Sequence, residues 1–421
     1  MSSKSKEKLV LAYSGGLDTS VIAHWLVHRK GYNVVTCEVG LGQNEDLKAA
    51  TEKAHAVGAS KVFVVDAVQD FVEQFAFLAL IANAAYEHDY LLGTSLARPI
   101  IAREQIKIAR KVGANWVSHG ATGKGNDQVR FELTYQALMP RIKILSPWKN
   151  DDFLNEFNGR EDLLEYAEKH GIPVEAKKKK KYSTDRNIIH SSHEGEILED
   201  PSKAPPLEEI LERTVMPQNA PDKTTSLDIY FEHGIPVMVH NKSTGNKVTG
   251  SVEIINYLNK IGGKNGIGIV DKVESRYVGM KSRGVYETPG FTILHAAHRK
   301  MESLTLDREV IFRKETMMPD IARLIYFGHW YSPEMETQIG SVLLTQEKVS
   351  GRVGVKLYKG NVLCDTVESD SSLYNLAQVS FEGQGGGFDQ RDSTGFIRVT
   401  GTRFRNHSLS RGKVMGEKVY K

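Results

Sequence analysis

A short polar string that follows an apolar run near the N-terminus could bind a phosphate group. Residues 14–20 are Ser-Gly-Gly-Leu-Asp-Thr-Ser, and they follow the apolar run 9–12. The glycine pair lets the backbone turn tightly, so its amide hydrogens and the N-terminus of a following helix can point at one anion. An ordinary strand–helix turn capped by Ser14 or Asp18 is the alternative that the glycine pair alone favours.

The string differs from two other nucleotide-binding loops. Gly-x-Gly-x-x-Gly is absent from this position, and no Gly-x-x-x-x-Gly-Lys-Ser/Thr occurs, because Gly123-Lys124 is followed by Gly125. The full string after an apolar strand instead resembles the pyrophosphate loop of the ATP pyrophosphatases that adenylate a substrate oxygen. Such enzymes cleave ATP between its α and β phosphates, and the loop would hold the leaving pyrophosphate with backbone dipoles where its charge develops.

Two further polar clusters could complete a binding site. Residues 118–132 contain three glycines interleaved with Thr, Lys, Asn, Asp and Arg, which suits a small, doubly charged ligand close to the backbone. Since this cluster follows a strand-like run, we expect it at the carboxyl edge of a sheet, where open α/β sheets bind ligands. The alternative is a flexible loop with a solvated lysine.

The third cluster is residues 90–99. In it, Arg98 either clamps a carboxylate with two nitrogens or is a surface arginine near a helix cap.

The surrounding sequence predicts the elements that would position these clusters. Between residues 8 and 145, short β-branched runs alternate with amphipathic stretches, which is typical of crossover units in a doubly wound parallel α/β sheet. The expected strands are 9–12, 34–39, 62–65, 116–118 and 142–145, and the expected helices reach Lys30 and span 44–57, 71–86, 99–112 and 127–138. Pro99 is expected in the first turn of its helix.

Beyond residue 171 the pattern predicts an α+β region. The lysine run 177–181 and the proline-rich stretch 201–221 suggest exposed connections. The expected strands are 227–231, 237–239, 247–252, 349–358 and 361–366, and the expected helices are 254–261, 295–304 and 318–327. The sequence therefore predicts a nucleotide-binding domain at 1–170, a second domain at 171–380 and a C-terminal segment at 381–421, whose glycine cluster and basic residues are typical of a flexible terminus.

The composition excludes several classes of protein. The chain has 421 residues, 55 basic and 52 acidic side chains and 40% hydrophobic residues, which excludes wholesale disorder, collagen and coiled coils. Its net charge of +3 gives no footprint for a nucleic-acid partner. Cys37 and Cys364 lie outside any Cys-x-x-Cys spacing, so neither a disulfide framework nor a cysteine zinc site is expected. Without a secretory signal or a long apolar segment, the sequence predicts a cytoplasmic protein with no membrane partner.

Several long strings in a fixed order point to one family. The chain resembles the argininosuccinate synthases over residues 12–289, with shorter matches at 303–309 and 392–396. The matching strings are 12–20, 90–99, 118–132, 182–185, 190–201 and 268–289. The resemblance implies a ligase of arginine biosynthesis that uses ATP and Mg²⁺. The ureido oxygen of citrulline would attack the α-phosphate to give citrullyl-AMP and pyrophosphate, and the amine of aspartate would then displace AMP to give argininosuccinate. It also implies a homotetramer to which the C-terminal segment contributes.

The resemblance also implies roles for individual residues. For ATP it implies Ala12, Tyr13, Ser14, Gly15, Gly16, Leu17, Asp18, Thr19, Ser20, Val39, Ser118, His119, Gly120, Ala121, Thr122, Gly123, Lys124, Gly125 and Asn126. For citrulline it implies Tyr90, Ser95, Asn126, Arg130, Ser183, Ser192, Glu274 and Tyr286, and for aspartate Thr122, Asn126 and Asp127. It implies Asp18, Lys124 and Arg130 as catalytic residues and leaves the metal ligand unknown. Without it, Glu274 and Tyr286 would be read as ordinary polar residues of a surface strand.

The sequence departs from the family pattern near residue 191, and two other functions remain as alternatives. Ser191-Ser192-His193 stands where the family commonly has Ile-Ser-Tyr, and the order of His190, His193 and Glu194 fits no zincin, so core or surface histidines are expected. A tRNA-thiolating pyrophosphatase would share the first loop, but the two cysteines are poorly placed for it. A nucleotide sensor without turnover is disfavoured because Asp18, Lys124 and Arg130 are all present.

Overall fold

Five apolar runs near the N-terminus form a parallel sheet in the computed structural model, which describes residues 6–43, 47–173, 182–380 and 387–411. The elements of this region are β1 (Lys8–Ala12), α1 (Leu17–His28), β2 (Asn33–Gly40), α2 (Leu47–Ala56), β3 (Lys61–Asp66), α3 (Val68–Phe71), α4 (Phe77–Ile81), α5 (Gly93–Val112), β4 (Trp116–Ser118), α6 (Asp127–Leu138), β5 (Lys143–Leu145), α7 (Asp151–Leu154) and α8 (Arg160–Lys169). The strand order is β3-β2-β1-β4-β5, with all neighbours parallel. The predicted doubly wound sheet is confirmed, and its order reverses between β1 and β4, where such sheets bind ligands.

Several helix boundaries expected from the sequence are wrong: the helices expected at 295–304 and 318–327 begin at Pro289 and Arg308, and two more differences lie in the first region. Pro99 lies inside α5 rather than in its first turn, because the helix already begins at Gly93 after Leu92 turns in the left-handed region (φ +65°). Gly93 permits this start, since a Cβ there would lie 2.2 Å from the His190 side chain. The helix expected over 71–86 is α3 joined to α4 by the π-helical stretch Val72–Ala76, and it ends at Ile81 because Asn83 is left-handed (φ +52°).

The second region contains two antiparallel sheets and four long helices. Its elements are β6 (Ser183–Asn187), β7 (His190–Glu194), α9 (Leu207–Ile210), β8 (Thr225–Glu232), β9 (Ile235–Asn241), β10 (Lys247–Thr249), α10 (Ser251–Lys264), β11 (Ile269–Ser275), β12 (Lys281–Glu287), α11 (Pro289–Thr305), α12 (Arg308–Phe327), α13 (Pro333–Thr345), β13 (Gly351–Tyr358) and β14 (Asn361–Glu368). The sheet orders are β10-β9-β8-β13-β14 and β11-β12-β7-β6. The predicted change from a parallel α/β region to an α+β region is confirmed.

A buried polar network anchors the helices of this region to the loop after α4. The ring nitrogens of His298 in α11 lie 2.9 Å from the Asn83 Oδ1 atom and 2.9 Å from the Gln346 Oε1 atom. Gln346 and Lys314 both donate to Glu302, and Asn83 donates to the same carboxylate over 2.6 Å. Burial lowers the pKa of His298 to about 4, so its ring is neutral near pH 7. Its single N–H therefore donates to one of the Asn83 and Gln346 oxygens, while the other ring nitrogen only lies near the second. The network therefore fixes the chain just before Tyr86 and Tyr90, which pair across an antiparallel bridge.

The chain divides into two units, residues 1–371 and 372–421. In the second unit the structure describes α14 (Leu376–Val379) and α15 (Asp392–Arg411). The expected flexible terminus is wrong for residues 392–411, because they form a helix along which Thr402 and Arg405 both donate to the Arg398 carbonyl. The lysine run 177–181 and most of the glycine cluster lie outside the described residues. The domain boundaries after residues 170 and 380 stay predictions.

Across the four described ranges, no helix is both long enough and apolar enough to span a lipid bilayer.

Candidate active site

The polar string after β1 forms a turn in which no side chain caps the following helix. Gly15 is left-handed (φ +69°), and Gly16 is the N-cap of α1 without a side-chain hydrogen bond. The alternative of a turn capped by Ser14 or Asp18 is therefore wrong. Ser14 instead contacts Thr19, with 3.2 Å between their hydroxyl oxygens. The first-turn amides of α1 are consequently available to an anion, as at other phosphate-binding helix N-termini.

The loop after β4 lies directly beside this turn. A Cβ on Gly120 would lie 3.0 Å from the Thr19 Cγ2 atom, so glycine allows the two loops to approach closely. Gln128 donates to the carbonyls of Gly123 (2.5 Å) and Gly125 (3.3 Å) and so holds the loop in shape. His119 is buried against Phe131 and accepts a hydrogen bond from the Ala121 amide over 3.2 Å. Its ring therefore supports the loop from inside the protein.

The same loop lines part of a cavity of about 250 Å³. Its lining residues come both from the region of the parallel sheet and from the sheet β11-β12-β7-β6. The lining residues are Tyr90, Thr94, Ala121, Thr122, Gly125, Asn126, Asp127, Arg130, Ser183, Asp185, Ser192, Glu194, Glu274, Arg276 and Tyr286. The loop 118–126 thus borders both the turn after β1 and the polar cavity, so ligands in the two sites would be neighbours.

Strand register explains how the second sheet presents its side chains to this cavity. Ser183 pairs with Glu194, and Asp185 pairs with Ser192 across β6 and β7. Ser192 also pairs with Tyr286 across β7 and β12. Since alternate residues of a strand share one face, these five side chains form a single polar surface. The intervening residues of β7 point to the opposite face.

Two arginines hold the carboxylate of Asp127 at the start of α6. Arg98 donates through Nε to Asp127 Oδ2 (2.9 Å) and through an Nη atom to Asp185, and Arg130 donates to Asp127 Oδ1 over 2.9 Å. Burial alone would raise the pKa of Asp127, but Arg98 and Arg130 hold it below its usual value. Arg98 is therefore neither free at the surface nor open to a bidentate ligand, since it bridges two carboxylates of the protein.

Tyrosine hydroxyls hold the carboxylate of Glu274. Tyr286 donates to Glu274 Oε2 over 2.9 Å, and Tyr326 donates to Oε1 over 2.5 Å. Burial, with Glu274 as a further cause, raises the pKa of both phenols, so both stay protonated as donors. Tyr90 stacks on Tyr286 with ring centroids 4.4 Å apart. The result is a buried carboxylate at the cavity wall, suited to a ligand ammonium group.

Glu194 is a second carboxyl at the cavity with a different environment. It accepts from Arg276 over 2.8 Å, and Arg276 also approaches the Lys124 carbonyl at 3.5 Å. Burial raises the pKa of Glu194 to about 7 because it outweighs the neighbouring Arg276. This carboxyl can therefore gain or lose a proton near neutral pH.

The structure brings most of the residues implied for citrulline and aspartate into one cavity. Of these, Tyr90, Thr122, Asn126, Asp127, Arg130, Ser183, Ser192, Glu274 and Tyr286 line it. Ser95 is fully buried in the first turn of α5 and outside that lining set. Residues 12–20 lie at the neighbouring turn, and Val39 is buried in β2. Ser118 is fully buried at the end of β4, with an Oγ atom that has no hydrogen-bond partner in the described chain. Lys124 is exposed on the loop between the two compartments.

Sequence reasoning did not assign a role to several residues that shape the cavity: Thr94, Asp185, Glu194, Arg276 and Tyr326. A signal for three of them was present in the sequence. Asp185, Glu194 and Arg276 each follow an implied substrate residue by two positions, and residues two apart share a strand face. Predicting β6, β7 and β11 would have found them.

Behind the cavity, Glu287 ties β7 and β12 to the segment 212–214. It accepts from the amides of Glu212 (2.9 Å), Arg213 (2.8 Å) and Thr214 (2.7 Å) and from the His193 ring (3.0 Å). His190 is buried as well and hydrogen-bonds Thr94 over 3.0 Å. Both histidines are therefore core residues, within the expectation from the sequence.

Replacing Glu287 should destabilise the fold. Glu287→Ala leaves buried amides and the His193 ring without an acceptor, so we expect the free energy of unfolding to fall by about 3 kcal/mol in urea titrations. Glu232→Ala, at the exposed end of β8, is the control and should change it by less than about 0.5 kcal/mol. Equal losses in the two variants would contradict the anchoring role of Glu287.

The sequence of this chain matches two family models and many known proteins. Residues 8–173 match the family model described as the arginosuccinate synthase N-terminal HUP domain, and residues 182–407 match the arginosuccinate synthase C-terminal domain. The argininosuccinate synthase of Thermotoga maritima is 52% identical over 404 residues, covering 96% of this chain and 98% of the relative. Those of Acetivibrio thermocellus and Danio rerio are 49% and 48% identical, each covering 98% of this chain and 99% of the relative.

Proposed function

The chain belongs to the argininosuccinate synthase family and is a ligase, and from that premise we propose that it joins citrulline to aspartate through a citrullyl-AMP intermediate. One observation carries the proposal. The loop 118–126 contacts the turn after β1, with its uncapped helix N-terminus, through Gly120 and also lines the polar cavity, so the two sites adjoin. A nucleotide in the turn and an amino acid in the cavity would therefore have their reacting groups side by side.

In the first step the ureido oxygen of citrulline attacks the α-phosphorus of ATP. A new O–P bond forms, the bond between the α-phosphorus and the bridging oxygen to the β-phosphate breaks, and pyrophosphate leaves with the electron pair. The amides of the turn 14–20 would stabilise this developing charge, with the Thr19 hydroxyl near them, whereas the buried Ser20 hydroxyl pairs with that of Tyr13. The step converts a very poor leaving group, the ureido oxygen, into a phosphate ester.

In the second step the amine of aspartate attacks the ureido carbon. A C–N bond forms, the C–O bond to the phosphate breaks, and AMP departs with the electron pair. We assign aspartate to Thr122 and to the first turn of α6, whose N-cap, Asn126, makes no side-chain cap. A helix N-terminus favours a carboxylate, while Asp127 itself keeps Arg98 and Arg130 in place.

Citrulline carries an ammonium group and a carboxylate, and the cavity offers a partner for each. Glu274 would accept the ammonium group, because its carboxylate is buried and paired with neutral hydroxyls. Arg130 would hold the carboxylate together with the hydroxyls of Ser183 and Ser192. The enzyme thus works mainly by positioning charged reactants and by screening phosphate charge.

Magnesium would enter with the nucleotide. Mg²⁺ is usually bound by one or two protein carboxylates together with substrate phosphates, and Asp18, in the first turn of α1, is the carboxylate at the pyrophosphate turn. Among the described residues no group of three or more His, Cys, Asp or Glu could hold a metal ion, which fits binding through ATP. The ion would neutralise phosphate charge.

The tRNA-thiolating alternative requires reactive cysteines. Burial raises the pKa of Cys37, and it raises the pKa of Cys364 to about 11. Neither thiol is poised to become a thiolate near neutral pH. The proposal therefore keeps the small molecules ATP, citrulline and aspartate as substrates, and the homotetramer and the cytoplasmic location stay predictions.

The proposal is tested by measuring pyrophosphate and AMP release from ATP with citrulline, with aspartate and with both. We expect pyrophosphate release to require citrulline, AMP release to require both amino acids, and argininosuccinate to accumulate with AMP in equal amounts. Pyrophosphate release that does not depend on citrulline, or no release at all, would refute the proposed reaction.

A further inference from the structure

Tyr326 lies in the last turn of α12, outside the cavity lining, yet it contacts three residues that line the cavity. Its hydroxyl donates to Glu274 Oε1 over 2.5 Å and accepts from Asn126 Nδ2 over 3.0 Å. Its backbone carbonyl accepts from Arg130 Nε over 2.9 Å, and the Arg130 guanidinium lies 4.9 Å from the centre of its ring. One buried side chain thus connects an anion, an amide and a cation.

These contacts fix the orientation of each partner. The single hydroxyl proton goes to Glu274, so the hydroxyl can only accept from Asn126. The Asn126 oxygen meanwhile accepts from the Tyr277 amide over 2.9 Å, which leaves the amide group of Asn126 one orientation. Burial and the nearby Glu274 raise the pKa of Tyr326, so it remains a donor throughout the physiological range.

The ring is itself held rigidly. Tyr86 stacks on it with centroids 3.8 Å apart and planes 5° apart, and the Tyr86 hydroxyl donates to the Ser275 carbonyl over 2.7 Å. A second tyrosine therefore locks both the ring and the strand end next to Glu274. Tyr326 and Tyr86, which do not line the cavity, therefore fix the position of Glu274 relative to Arg130.

We infer that Tyr326 is a positioning residue that holds Glu274 and Arg130 at the separation that binds the ammonium and carboxylate groups of citrulline. The inference rests on the proposed function, because it specifies how that same cavity recognises one of its substrates. It predicts selectivity: loss of the hydroxyl should weaken citrulline binding and leave ATP binding unchanged.

The test compares Tyr326→Phe with the full-length wild-type chain. We expect the citrulline Kd from titration calorimetry and the citrulline KM to rise ~10-fold, the effect of losing a hydrogen bond to a charged group. The KM for ATP should stay within about twofold, because the turn after β1 is untouched and Asn126, which is also implied for ATP, still accepts from the Tyr277 amide. Tyr257→Phe, which removes a hydroxyl that accepts from Asn241 in another sheet, is the matched control and should change neither constant.

A double-mutant cycle checks that the effect passes through Glu274. In a Glu274→Gln background, Tyr326→Phe should weaken citrulline binding by less than about twofold, because the shared interaction is already lost. A full ~10-fold effect in that background would overturn the inference. So would equal losses for citrulline and ATP, which would mark a purely structural role.

Failure of the inference is distinguishable from failure of the proposed function. If wild-type protein neither binds citrulline nor shows citrulline-dependent pyrophosphate release, the proposed function fails and the inference fails with it. If the wild type does both and Tyr326→Phe matches it, only the positioning role of Tyr326 is overturned.

Discussion

Gly15→Ala is expected to reduce citrulline-dependent pyrophosphate release by about a hundredfold or more, the size of effect seen when a transition-state donor is lost. Gly15 is left-handed (φ +69°), and an added Cβ would lie 3.1 Å from the Ala50 Cβ atom. The backbone strain of alanine at this φ, together with that contact, favours a shift of the turn, and its amides would then leave the positions proposed to stabilise the leaving pyrophosphate. The measurement is the initial rate of pyrophosphate release at saturating ATP and citrulline.

Gly31→Ala provides a matched control. Gly31 is also left-handed (φ +73°), but a Cβ there would have no neighbour within 4 Å. Both substitutions carry the left-handed penalty of about 1–2 kcal/mol, so both should lower the thermal midpoint by similar amounts. Only Gly15→Ala should lose activity. Full activity in Gly15→Ala would show that the turn does not hold pyrophosphate.

Glu274→Gln should weaken citrulline binding by about 10- to 100-fold, because a charge-assisted hydrogen bond contributes about 1.5–3 kcal/mol. The substitution removes the negative charge that faces the ligand ammonium group. It also leaves one oxygen where two tyrosine hydroxyls each need an acceptor, since Tyr286 and Tyr326 donate to different carboxylate oxygens. Titration calorimetry with citrulline measures the change directly.

The control for this prediction is Glu336→Gln on the exposed side of α13. It removes the same formal charge far from any tyrosine pair, and its citrulline Kd should equal that of the wild type. ATP binding should be unchanged in both variants. A citrulline Kd unaffected by Glu274→Gln would remove Glu274 from the substrate site and leave the cavity without its assigned ammonium partner.

The parallel sheet was predictable from the sequence because its strands alternate with helices of ordinary length and its central strands are buried on both faces. Run 9–12 is continuous and apolar, and run 34–39 is rich in valine although it contains Thr36 and Glu38. The end of α5 at Val112 was predicted, but its start was not predictable. Its start depends on Gly93 packing against His190, almost a hundred residues later in the chain, and local sequence carries no trace of that contact.

The sheet that carries much of the cavity was not predictable from periodicity. In β6 and β7 one face lines the cavity and the other binds residues such as Glu287, so polar side chains occupy both. Hydrophobic alternation, the usual mark of a strand, is therefore missing. Family resemblance found Ser192 and Tyr286, whereas their register emerged only from the strand pairing.

Tyr326 represents the limit of sequence reasoning here. It lies in an ordinary amphipathic helix, and its hydroxyl meets Asn126, 200 positions earlier. The sequence predicts only that Tyr326 is a buried core residue. Helix periodicity indicates which side chains are buried, but it does not indicate which polar groups they contact.

The residues of the turn and of the cavity are far apart in the sequence, so they are synthesised at different times. The pyrophosphate turn is complete once residue 20 has been made, but Glu274, Tyr286 and Tyr326 follow some 250 or more residues later. Domains generally fold from the N-terminus as they emerge from the ribosome. A nascent chain can thus form its nucleotide loop early, yet it lacks the groups that would bring citrulline to the α-phosphate until α12 has emerged. On the proposed mechanism, citrulline-dependent cleavage of ATP therefore requires the chain at least as far as α12.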